Sequence, residues 1–185
     1  MKQLFPSLPE APKLSDVFRR FPDTVRPLLE LTDAVMRRDS ALTVGERELI
    51  AAYVSGLNAC RFCMDGHEVY ARAHGVDPAL IAALLDDPEG ADIDGRLRPL
   101  LAYVAKLTRE PSKMVEADAQ AVYAAGWTEE ALYDAIQTCA LFNLMNRVIE
   151  GTGVPPMLPD PDRPEGAPLP RMDSYLAFGR TLGVV

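Results

Sequence analysis

The eleven residues LNACRFCMDGH, positions 57–67, hold two cysteines and a histidine. Cys60 and Cys63 lie three apart and His67 four further on, so on a helix all three share one face. Side chains there lean toward the helix N-terminus, where free N–H groups favour a thiolate. A thiolate beside a base, with a second thiol in reach, can be oxidised and then resolved as a disulfide. Two other readings stay open. A structural zinc site needs about four ligands; this stretch offers three, and Cys139, His74 or Glu48 would have to complete the set. Free cysteines also serve as small buried hydrophobes, although two at redox spacing with a co-facial histidine are unusual in that role. The dithiol redox centre ranks first.

The elements that must position these residues read as helices. DTVRPLLELTDAVMRR (23–38) spaces its apolar residues at three and four. TVGERELIAAYVSG (43–56) starts with Thr43 three residues before Glu46, a capping-box pattern. For the cysteine helix the spacing predicts Asn58 as N-cap, with Leu57 and Phe62 as a hydrophobic staple, Cys60 and Cys63 as second and fifth helical residues, and a stop at Gly75. Asp77 and Pro78 open the next helix, and GRLRPLLAYVAKLTRE (95–110) ends before Pro111. KMVEADAQAVYAAG closes on Gly126, and a last long helix starts at Thr128 and runs to Gly151. No stretch alternates with period two over a useful length. The fold class is therefore all-α, with about six or seven helices over residues 23–154. Residues 1–22 and 155–185 read as Pro-rich extended arms, since proline cannot continue a helix. The apolar end SYLAFGRTLGVV is expected to dock, more readily on a neighbouring subunit than on its own core.

Bulk properties narrow the function. The chain has 185 residues and a formal charge of -8, and its pI near 4.8 argues against nucleic acid, which needs a basic stripe. No apolar run is long enough to span a bilayer, and three cysteines do not suggest a secreted disulfide framework. A cytoplasmic protein without a membrane partner is expected.

Glu48, Cys60, Cys63 and His67 fit the pattern E-x11-C-x2-C-x3-H, which resembles the core motif (48–67) of the alkylhydroperoxidase D-like family within the carboxymuconolactone decarboxylase-like superfamily. The similarity runs from about residue 40 to 155, with GWTEEALYDAIQTCALFN in the position of the second helical hairpin. The asparagine of SGLNACRFC, the chain length and the Pro-rich tail are most similar to its peroxidase-related subgroup. The resemblance implies roles. Cys63 is the thiolate that attacks peroxide, and Cys60 the thiol that resolves it. His67 takes the proton of Cys63, and Glu48 orients or recharges His67. It implies a hydroperoxide substrate, a thiol protein or lipoyl group as reductant, no cofactor beyond the dithiol, and a homo-oligomer (dimer, trimer or hexamer). The alternatives are a decarboxylase or lactone-processing enzyme on the same scaffold, or a metal-binding or oligomer-forming protein without redox turnover.

Magnitudes give the histidine its weight. Lowering a thiol pKa from ~8.5 to ~6 raises the thiolate fraction at neutral pH roughly thirtyfold, but the accompanying fall in nucleophilicity takes back about tenfold. A positioned acid–base group is worth roughly 10²–10⁴, and cleaving an O–O bond expels an oxyanion that wants a proton. One departure from the family stands out: Arg61 and Phe62 lie between the cysteines, where alkylhydroperoxidase D has a histidine beside the second one, and Phe62 cannot relay a proton. Arg61 reads as solvated, His74 as a cation at a helix C-terminus, and Cys139 as packing. Asn143, Asn146, Arg147 and Glu150 read as a solvated or subunit-facing stripe.

Overall fold

The computed structural model describes residues 3–157, 164 and 166–185. Among these residues there are nine α-helices and no strand: α1 (Leu14–Arg20), α2 (Val25–Met36), α3 (Val44–Leu57), α4 (Arg61–Ala73), α5 (Pro78–Asp86), α6 (Leu97–Arg109), α7 (Glu116–Ala124), α8 (Glu129–Thr152) and α9 (Tyr175–Thr181). The class is all-α, as the periodicity indicates. Seven of the helices match the sequence reading, and the extra two lie inside the arms.

Local signals account for most helix ends. Thr43 Oγ1 accepts from the Glu46 amide at 3.2 Å, and Glu46 Oε2 accepts from the Thr43 amide at 2.7 Å, closing the capping box of α3. Asp77 caps α5 through the Ala79 amide at 2.7 Å, and Thr128 caps α8 through the Ala131 amide at 3.2 Å. The helix α8 continues through Gly151 and stops at Gly153, whose φ of 74° provides the left-handed turn.

The core surrounds α3. Ten of its fourteen residues are buried, including Leu49, Ile50, Ala51, Ala52, Tyr53 and Val54. Such a helix is apolar nearly all round because others cover it on every side: α4 runs back along it, and α5, α6 and α8 pack against it. A second apolar cluster joins Leu8 and Val17 from the N-terminal segment to Cys60, Cys63, Ile149 and Val154.

The arms are not simply extended. Residues 14–20 form α1 because Val17 and Phe18 are buried, although a seven-residue helix between prolines is too short to betray itself by period. At the other end, α9 packs on α2 of the same chain. The expectation that the tail would reach a neighbour is corrected by Asp33 of α2, whose carboxylate accepts from Ser174 Oγ (2.7 Å) and from the amides of Tyr175 (2.6 Å) and Leu176 (3.2 Å). Of the Pro-rich stretch 155–170, residues 158–163 and 165 lie outside the described residues.

Candidate active site

The turn that presents the cysteines differs from the expected one. Asn58 ends α3 instead of starting α4. Ala59 takes a φ of 55°, a left-handed conformation rare for a residue with a Cβ, and the reversal makes Cys60 the N-cap of α4. Cys63 is therefore the third helical residue rather than the fifth. The physical reason lies in the side chain of Asn58, which reaches across to α8 instead of capping: its Nδ2 donates to Asn146 Oδ1 (2.9 Å) and Asn143 Oδ1 (3.1 Å).

Both thiols are free and buried, and they form a coupled pair. The side chain of Cys60 makes no formal capping bond, yet the thiol and then the amide of Cys63 face its sulfur and hold Cys60 below the ordinary thiol range against the opposing effect of burial. Cys63 is pushed up, first by serving as donor to Cys60 and then by burial. An anion on a helix N-cap is favoured by the free amides of the first turn. Any negative charge on the pair is therefore favoured on Cys60, with Cys63 as the donor facing it. Access runs the other way: Cys60 is 0% exposed, while Cys63, at 5%, lines an open cavity.

That cavity has a volume of about 330 Å³. Its wall is largely apolar, including Phe18, Leu29, Phe142, Met145, Met157 and Leu182. Cys63, Gly66 and His67 contribute a strip from α4, and among the described lining residues Lys13 is the one lysine or arginine. Met172, Tyr175, Phe178 and Leu182 supply the C-terminal side.

His67 is 8% exposed. Its Nδ1 lies 2.5 Å from Glu48 Oε2, and its ring packs edge-on against Phe142 with centroids 4.3 Å apart. With Nδ1 committed to the carboxylate, Nε2 is the nitrogen left for chemistry. Cys63 and His67 share one turn of α4 and one cavity, and no direct hydrogen bond joins them in the described structure.

Glu48 is wholly buried on α3. A lone carboxylate there would be prohibitively desolvated, but His67 meets one oxygen while Arg37 Nη2 (2.5 Å) and the Tyr175 hydroxyl (3.3 Å) donate to the other. Burial pushes the carboxyl up, and His67 followed by Arg37 more than offset it, so Glu48 is held below the usual carboxylate range.

The structure thus places Cys63 and His67 on one cavity wall, with Glu48 buried behind His67 and Cys60 behind Cys63. The other candidates fall elsewhere. Cys139 is buried in the main core against Thr108 Oγ1 at 3.3 Å. His74 is the C-cap of α4, with a buried Nε2 lacking a partner. Arg61 is exposed beside Asp65. No three His, Cys, Asp or Glu side chains among the described residues are placed to hold a metal ion, and no helix is long and apolar enough to cross a membrane.

Sequence reasoning missed Arg37, Tyr175 and Asn146. The predicted solvated stripe on α8 is split: Arg147 and Glu150 are exposed, but Asn146 is 2% exposed. Its Nδ2 donates to Ser55 Oγ at 3.0 Å, and its side chain faces Cys63 and eases the anionic form of that thiol. Arg37, eleven residues before Glu48, and Tyr175, in the C-terminal segment, carried no signal in the sequence.

Comparisons with known proteins agree with this architecture. Residues 22–104 match the model of the "Carboxymuconolactone decarboxylase family". A crystal structure described as an alkylhydroperoxidase AhpD core, an uncharacterized peroxidase-related protein from Ralstonia eutropha JMP134, superposes with a TM-score of 0.72 at 30% identity over 77% of this chain and 75% of that one. An uncharacterized peroxidase-related protein from Silicibacter sp. TM1040 gives 0.69 at 28% identity over 80% and 77%. No curated protein matches. The chain belongs to the carboxymuconolactone decarboxylase family, in its alkylhydroperoxidase-like, peroxidase-related group.

Proposed function

We propose that this protein is a thiol-dependent peroxidase that reduces an organic hydroperoxide at Cys63. The observation carrying this reading is the placement of Cys63 and His67 on one apolar cavity wall, with the far nitrogen of His67 fixed on Glu48. The dithiol gives up one proton to His67 and keeps the other between its sulfurs. As that proton passes to Cys60, Cys63 attacks the terminal peroxide oxygen. The O–O bond breaks, His67 returns its proton to the departing alkoxide, and Cys63 becomes a sulfenic acid. Cys60 then attacks Cys63, hydroxide leaves with the Cys60 proton as water, and the pair is oxidised by two electrons. The sum is hydroperoxide plus dithiol giving alcohol, water and disulfide. Two electrons from a thiol protein or lipoyl group restore the dithiol. A lactone-decarboxylating reading is less well supported, because a substrate carboxylate wants cationic partners and among the described lining residues only Lys13 and His67 can carry a positive charge.

The test is a thiol count after stoichiometric organic hydroperoxide. Wild type is expected to lose two thiols and form a Cys60–Cys63 disulfide. Cys60→Ser is expected to trap a sulfenic acid on Cys63, and His67→Gln to react at least about a hundredfold more slowly, the lower bound for a lost general acid. Rapid, unchanged oxidation of His67→Gln would remove the histidine from the mechanism, and wild-type thiols that survive the peroxide would remove the activity.

A further inference from the structure

The carboxylate behind His67 is anchored by residues from both ends of the chain. Arg37, the C-cap of α2, donates through Nη2 to Glu48 Oε1 at 2.5 Å, through Nε to the Met172 carbonyl at 2.6 Å and through Nη1 to the Met36 carbonyl at 2.9 Å. Its guanidinium lies 5.0 Å from the centre of the Tyr175 ring, and the Tyr175 hydroxyl donates to the same Glu48 oxygen. Met172, which feeds the chain into this contact, has a φ of 51°, a strained conformation for a side chain of that size. Asp33 then clamps the start of α9 through three hydrogen bonds. Glu48 thereby accepts from three donors: His67 on Oε2, and Arg37 and Tyr175 on Oε1.

We propose that Arg37 and Tyr175, seated by the C-terminal segment, are positioning residues that hold Glu48 as a fixed anion, so that it orients His67 without ever taking up the proton. This rests on the peroxidase reading above and settles the choice between orienting and recharging. A proton shifted along the His67–Glu48 hydrogen bond would leave a neutral carboxyl facing the Arg37 guanidinium and the Tyr175 hydroxyl, and both of these donors favour the anion. With the anion favoured on Glu48, the proton of His67 is delivered through Nε2 into the cavity where the leaving oxygen sits. A relay that continued into Glu48 would instead draw the proton away from the oxygen that needs it.

The charged and titratable groups around Glu48 are Arg37 at the end of α2, Arg47 on its own α3, His67 and Tyr70 on α4, and Tyr175 on α9. Arg37 is the cation in hydrogen-bond contact. Arg47 spends its Nη1 on the Val35 and Arg38 carbonyls instead.

The experiment is a pH titration of the Glu48 carboxyl by 13C NMR on the full-length protein, with its signal assigned by difference against Glu48→Gln. Single-turnover oxidation by cumene hydroperoxide is followed in parallel as a function of pH. In wild type the carboxyl is expected to be more than half ionised at pH 4.5, the ordinary midpoint. In Arg37→Gln the midpoint is expected to rise by about one unit, the lower range for removal of an adjacent opposite charge. Oxidation is expected to slow about tenfold, a fraction of the 10²–10⁴ of acid–base catalysis, with a new acidic limb at the raised midpoint. Arg37→Lys is expected to remove that limb, and Tyr175→Phe, which keeps the ring, to raise the midpoint by less. An unmoved Glu48 midpoint in Arg37→Gln overturns the proposal, as does a raised midpoint with an unaltered pH–rate profile. If wild type fails to react with peroxide while the titration behaves as described, the peroxidase reading falls and the anchoring of Glu48 stands.

Discussion

Asp33 holds Tyr175: the Tyr175 amide donates to Asp33 Oδ1 at 2.6 Å, and the other carboxylate oxygen takes Ser174 and Leu176. A residue in the middle of α2 is therefore the N-terminal anchor of α9, where an acceptor satisfies amides that have no partner in the helix. The seven-residue α9 is too short to be stable by itself. Asp33→Ala is expected to cost about 1–2 kcal/mol, the usual range for a lost N-cap, and to release the C-terminal segment before the rest unfolds. Limited proteolysis checks this, with cleavage appearing between Met172 and Leu182 while the far-UV helix signal is largely retained.

Glu48 sets an acid limit on stability. Its carboxyl lies below the ordinary value of 4.5 because His67 and Arg37 outweigh burial. A group whose folded pKa is depressed contributes stability that is fully present above the unfolded pKa and is lost as pH falls through the folded one. Wild type is thus expected to lose stability as pH drops below about 4.5, and Glu48→Gln to show a shallower decline over the same window, although it starts lower for want of the ion pair. Urea midpoints at a series of pH values read the difference in slope. Equal slopes would place the acid sensitivity elsewhere.

The parts of this fold that were legible in the sequence are those written in local code. Caps at Thr43, Asp77 and Thr128 fall where expected because one side chain and one nearby amide decide them. The motif residues could be set on one face because helical period does the work. What was not legible depends on distant partners. Asn58 looks like an N-cap by type, but two asparagines of α8 compete for its side chain and win. Arg37 and Tyr175 are 138 positions apart in numbering, and nothing in either local context points to Glu48. The tail reads as sticky, yet which surface it seeks is decided by a single aspartate on α2.

Gly66 gives a way to separate cavity size from chemistry. It stands on the cavity wall between Cys63 and His67, and a Cβ there would meet Met157 Sδ at 3.2 Å, the movable end of a flexible side chain. Gly66→Ala is therefore expected to be tolerated, and the helix interior gains roughly 0.5–1 kcal/mol from losing a glycine. Gly66→Leu puts bulk into the space beside both reacting groups. Its oxidation by a bulky aromatic hydroperoxide is expected to slow by more than about tenfold, the lower range for a steric mismatch in a pocket, while hydrogen peroxide reacts within a factor of about two of wild type. Competitive single-turnover assays with the two oxidants give the ratio directly. Equal slowing of both would mean that the leucine disturbs the dithiol and not the cavity.

Asn146 separates the anion from the fold around it. Its Oδ1 accepts from Asn58 at 2.9 Å and its Nδ2 donates to Ser55 at 3.0 Å, while its side chain faces Cys63. The amide orientation is thus decided by neighbours on α3 and the following turn before any substrate arrives. Asn146→Ala leaves Asn58 without one of its two acceptors in a part-buried site, at a cost of about 1 kcal/mol. Asn146→Asp keeps the size and the acceptor for Asn58 but replaces the donor facing the dithiol with a negative charge. Both variants are expected to shift thiol ionisation upward, the aspartate more, because a like charge beside a developing thiolate disfavours it. Thiolate absorbance near 240 nm against pH reads that shift, and denaturant midpoints read the stability cost. An Asn146→Asp thiol titration that overlays wild type would show that this amide serves packing alone.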